Sequence, residues 1–186
     1  MNWREELENF EKSKSWKPAT ELLREIIDTS HNDVESYVRM IYLLHNILLE
    51  EDYPETEKEK IKELLKQYFE EANSKFCDNS EYLFFIGKIL YIAEWYFGIN
   101  DDFKPLQEKT AFKMQKKAFE KEPENILFEW AYRFSLNDQI AGYLAEQILL
   151  YEETKIKWLT SKGFPGCYIL ESLKRSKTKY AETPPS

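Results

Sequence analysis

The stretch that decides the fold is AFKMQKKAFEKEP, Ala111 to Pro123, which closes one amphipathic segment just before another helical pattern opens at Asn125. Ala111 and Ala118, seven positions apart, fall on nearly the same face of a helix, and Pro123 stands where that helix must stop. Small side chains on one face let a neighbouring helix approach closely. The spacing therefore predicts antiparallel helices packed in pairs, an architecture that usually serves binding.

The rest of the chain agrees with helices. Among 186 residues there are only five glycines, and prolines sit at segment edges (Pro18, Pro54, Pro105, Pro123), where helices start or end. Helices are predicted near 2–12, 18–29, 33–50, 54–75, 79–97, 103–121, 124–136, 138–160 and 165–177, with no strand alternation competing. Pro54 followed by Glu55 and Glu57 reads as a helix start, with carboxylates against the positive helix end. Asp138 is a candidate N-cap. Ile140, Leu144, Ile148, Tyr151, Trp158 and Leu159 recur at helical spacing. Apolar content is only 42%, but 16% of residues are aromatic, and those rings supply burial that the aliphatics do not. The expected organisation is a single all-helical body over 1–177 with a flexible tail, 178–186.

A weak period of 45 residues runs through Tyr37, Tyr82 and Leu127, each just inside a helix that opens after a polar break. Ala111, Ala118 and Pro123 resemble the second-helix signature of a tetratricopeptide repeat. The chain departs from that pattern at Gln115, where a large residue is expected. It departs again at Trp95-Tyr96-Phe97-Gly98, which ends a segment instead of opening one. Ala141, Gly142 and Ala145 repeat the small-residue theme without the proline. The resemblance implies an all-α fold, either a helical-hairpin solenoid or an irregular bundle of eight or nine helices.

Composition removes several function classes. The net charge is −8, distributed as −11 over residues 1–160 and +3 over 161–186. An acidic body repels nucleic-acid phosphate and steers basic partners toward itself. Cys77 and Cys167 do not form a CxxC pair or a disulfide framework. The first residues lack the apolar core of a signal peptide. The longest apolar run, Tyr82 to Phe97, is interrupted by Lys88 and Glu94 and is too short to span a bilayer. A cytoplasmic protein without membrane or nucleic-acid partners is expected.

Catalytic chemistry needs convergent titratable groups, and the chain offers two histidines. His31 lies in a polar helix break and His45 on an apolar helix face. There is no HExxH, calcium loop, phosphate-binding glycine loop or GxSxG elbow, so no metal, cofactor or catalytic residue is assigned. An enzyme would require Glu94, His45 or other carboxylates to converge. Lys88 and Glu94, six positions apart in apolar surroundings, should each reach solvent or find a partner on another helix.

Carboxylates cluster where helices are expected to end: Glu50, Glu51 and Asp52; Asp101 and Asp102; Glu152 and Glu153 beside Tyr151. Aromatic anchors with a charged rim are a common way to build a tight protein interface. A small, acidic, all-helical, aromatic-rich chain of this kind resembles the immunity proteins of contact-dependent growth inhibition and other polymorphic toxin systems. That resemblance implies a cognate toxin domain as partner, such as a basic nuclease whose cleft the carboxylates would mask. The eight residues just named are the expected contact surface. The alternative is a tetratricopeptide-like adaptor or chaperone, with a peptide held in a concave groove lined by Asn, Lys and Arg.

Overall fold

In the computed structural model, which describes residues 2–181, the chain is all-helical, with no strand among those residues. It divides into two compact units. One comprises residues up to Cys77 together with Ala93–Asn100; the other comprises Asp78–Ile92 and Asp101 onward.

The first unit contains α1 (Trp3–Lys12), α2 (Trp16–Thr29), α3 (Val34–Glu50) and α4 (Glu55–Phe76). Each helix packs on its sequence neighbour. The boundaries follow local chemistry. Asn2 caps α1 by accepting from the Arg4 amide, and Asp33 caps α3 by accepting from the Glu35 and Ser36 amides. Helix α3 is the centre of this unit, with Tyr37, Met40, Ile41, Leu43 and Leu44 almost wholly buried. The Arg39 guanidinium is buried too. It bonds Glu35 at 3.0 Å, while Arg4 holds the same carboxylate at 2.8 Å. A buried arginine is tolerable only with a carboxylate this close.

The second unit contains α5 (Ser80–Ile89), α6 (Thr110–Lys121), α7 (Ile126–Ser135), α8 (Ile140–Tyr151), α9 (Glu153–Thr160) and α10 (Phe164–Ala181). Neighbours in sequence again pack together, and α10 also returns onto α8. The small residues act as the sequence suggested. Ala111, Ala118, Ala141, Gly142 and Ala145 are all buried. At Gly87 of α5, a Cβ would lie 2.3 Å from Nε2 of Gln115 and 3.0 Å from the Met114 Cβ, so a side chain there would displace the buried Gln115 amide of α6. Gln115, which stands where the repeat pattern has a large residue, is fully buried. Its amide donates to the Phe84 carbonyl at 2.8 Å. The Trp130 indole donates to Ser176 Oγ, and that hydroxyl donates to the Ala141 carbonyl, each at 3.3 Å, which ties α7, α8 and α10 together.

Four helix boundaries differ from expectation. The segment predicted over 79–97 stops at Ile89. Ala93 then takes a left-handed conformation (φ 53°), and a short 3₁₀ turn, Glu94–Phe97, ends at Gly98 (φ 72°). Phe97 is buried against Phe69 and His45 of the first unit, and these ring contacts offset the local backbone strain. The helix predicted over 138–160 breaks at Glu152 into α8 and α9. Over 103–121, Pro105 opens only a 3₁₀ turn, and α6 begins at Thr110. At the C-terminus, α10 continues through Ala181; the rest of the expected tail, 182–186, lies outside the described residues.

Candidate protein-binding surfaces

The first acidic cluster sits at the end of α3. Glu50 is exposed, Glu51 is half-buried and bonds Lys14 at 3.0 Å, and Asp52 projects fully into solvent, 3.6 Å from Lys58. The large exposed side chain next to it is Leu49. One helical turn earlier, His45 packs on Tyr96 and Phe97, so the turn carrying exposed Trp95 borders the same end of α3.

The second cluster divides between two tasks. Asp101 is only 3% exposed and does not belong to a contact surface. Its carboxylate accepts from the Thr110 amide at 2.5 Å and from the Lys104 ammonium at 2.6 Å. Burial raises its pKa, but the Lys104 and Thr110 hydrogen bonds outweigh that effect and hold it below the usual range. Asp101 therefore caps α6, nine residues away, a distance that local sequence reading does not span. Asp102 stays in solvent beside Phe103, which is 99% exposed.

At the third cluster, Tyr151 ends α8 and is exposed, Glu152 is half-buried at the break, and Glu153 bonds Lys157 at 2.6 Å on α9. Each predicted cluster thus has a large exposed apolar side chain as its immediate neighbour: Leu49, Phe103 and Tyr151. Sequence reading found only Tyr151. Leu49 and Phe103 were recognisable by the same adjacency, but their exposure depends on where the helices end.

The charge is segregated more sharply than the sequence alone shows. The first unit carries 19 acidic and 11 basic residues, the entire net charge of −8; the second carries 15 of each.

Each unit also has an open cleft of about 350 Å³. In the first unit, Arg24, Asp28, His31, Gln67, Tyr68 and Glu71 line it. Behind Glu71, the Tyr37 hydroxyl donates to that carboxylate, and Lys75 donates to Tyr37 Oη and to Glu71, both at 2.6 Å. Burial raises the Tyr37 pKa, the Glu71 hydrogen bond raises that of Lys75, and the Lys75 hydrogen bond lowers that of Glu71. The network holds each proton where it is, the opposite of the poised group that acid–base catalysis uses. In the second unit, Glu81, Glu122, Asn125, Phe128, Lys155 and Trp158 line the cleft, with Lys162 bonded to Glu81 at 2.7 Å. Among the described residues, no three His, Cys, Asp or Glu side chains converge to hold a metal, and no helix is long and apolar enough to cross a membrane.

Of the two charged residues in the predicted apolar segment, Glu94 is half-exposed, whereas Lys88 is buried in the second unit. Its ammonium lies 4.5 Å from the ring centroid of Trp130 and 3.8 Å from that of Phe134, both on α7. Compared with models of protein families, with curated proteins and with solved structures, the chain matches none.

Proposed function

We propose that this chain is an inhibitor of the immunity-protein type, which binds a basic toxin domain and masks its active-site or substrate-binding surface. The observation that carries this reading is the confinement of the whole −8 charge to the first unit. Leu49 and Trp95 there supply apolar anchors beside Glu50, Glu51 and Asp52. Carboxylates on such a face mimic phosphates for a nuclease cleft. Charge complementarity accelerates encounter, while buried anchors slow release. On this reading the α3 end carries more of the contact than the other two clusters.

Co-expression with the toxin encoded by an adjacent reading frame tests the reading. The wild type should restore growth, and Glu50→Lys with Asp52→Lys should slow association by about 10-fold at low salt, with a smaller loss at high salt. Failure to neutralise any adjacent toxin would remove the proposal. An association rate that ignores both substitutions and salt would remove the electrostatic mechanism.

A further inference from the structure

Apart from Glu146 and Gln147, helix α8 is apolar, yet only one side of it is covered. Ala141, Gly142, Leu144, Ala145 and Ile148 face the core of the second unit. On the opposite side, Ile140 is 44% exposed, Tyr143 63%, Leu150 56% and Tyr151 71%. With half-exposed Gln147, these positions fall within roughly 100° of the helix circumference and extend over about 16 Å of its length. Two largely exposed tyrosines and two half-exposed aliphatics, with Gln147 among them, present on the order of 500 Å² of mostly apolar surface, the size of the largest patch on a typical monomer, which is often functional.

The charges on this face disfavour a strongly charged occupant. Helix α8 has one charged side chain, Glu146, already 3.0 Å from Lys177 of α10. The second unit as a whole is neutral, so two copies meet there without net repulsion. The sequence spacing is also self-complementary. A two-fold axis at Ala145 sets antiparallel α8 helices so that Ile140 faces Leu150 of the second copy and Tyr143 faces Gln147, a phenol opposite an amide. At the rim, Asp138 comes opposite Glu152 of the second copy, but Arg133 already lies 3.1 Å from Asp138 and balances that carboxylate.

We propose that the chain forms a symmetric dimer through the exposed face of α8. This interface is independent of the acidic surface in the first unit and does not depend on a toxin partner. It buries about 1,000 Å² in total, below the standard size of about 1,600 Å², so the dimer is weak and its population follows concentration in the micromolar range.

Sedimentation equilibrium of the full chain, from about 1 to 300 µM at physiological salt, reads this directly. The mass should rise with concentration from that of the 22.4 kDa chain toward twice that value. Tyr143→Ser with Leu150→Ser should weaken association by at least about 10-fold while melting within a few degrees of wild type, since both side chains are exposed. Leu49→Ser, on the first unit, should dimerise like wild type. A wild type that stays monomeric across the range overturns the proposal. So does a dimer that survives the double substitution or is lost on Leu49→Ser.

Discussion

Lys88→Met should make this protein more stable at neutral pH, although it removes a charged side chain from an acidic chain. The Lys88 ammonium is buried between Trp130 and Phe134, and among the described residues no carboxylate pairs with it. Burial pushes its pKa down to about 7. The unfolded chain keeps the ordinary lysine value of about 10.4. Between those values the unfolded state binds a proton that the folded state has released, so folding stability rises with pH across the window of about 7 to 10.4. Below pH 7 both states are protonated, and the full cost of burying the charge remains. At about 1.4 kcal/mol per pKa unit, that cost reaches about 5 kcal/mol as an upper bound. Methionine keeps most of the unbranched stem and still contacts the rings, but forfeits about 1 kcal/mol of cation–π attraction. The expected net gain is about 2 kcal/mol at pH 7, fading by pH 10. Urea unfolding of both proteins across that range measures it. A variant no more stable than wild type at pH 7, or one that retains the wild-type rise between pH 7 and 10, would refute the reasoning.

Two further substitutions test the packing that positions the surfaces. Gly87→Ala should cost about 2–3 kcal/mol in chemical denaturation, because its Cβ would sit 2.3 Å from Gln115 Nε2. Adding Gln115→Ala should recover part of the loss; no recovery would mean that the constraint lies elsewhere. Asp101→Ala should destabilise the chain by about 1–2 kcal/mol by removing the α6 cap, with the loss localised by hydrogen exchange to the Thr110 turn. Unchanged protection there would count against the capping role.

The acidic clusters show where sequence reading holds and where it stops. Glu50, Asp52, Asp102 and Glu153 are exposed, as adjacent carboxylates at element ends usually are. Asp101 is not, because a backbone amide nine residues later needed an acceptor, and that pairing exists only after the loop has folded. Tyr151 was visible as an anchor through its acidic neighbours. Tyr143 and Leu150 are hidden in the sequence, because a mostly apolar helix does not reveal in one dimension which side will lack a neighbour.

What the sequence determined by itself is the helical class and most of the helix starts. Asp33 and Asn79 cap their own helices, Asp138 accepts from the Ile140 amide, and Pro54 opens α4. These signals are local, acting over two to four residues, so a linear reading captures them. Ala111, Ala118 and Pro123 likewise imply close helix packing from their spacing alone. The tertiary structure alone decided the break after Ile89, the inward turn of Asp101, the burial of Lys88 against aromatic faces and the bare side of α8. Each depends on contacts between residues distant in sequence, where the energy of packing a ring or satisfying an amide exceeds the local preference. The division of charge into an acidic unit and a neutral one belongs to the same category. Its residues were all legible, but their grouping required the fold.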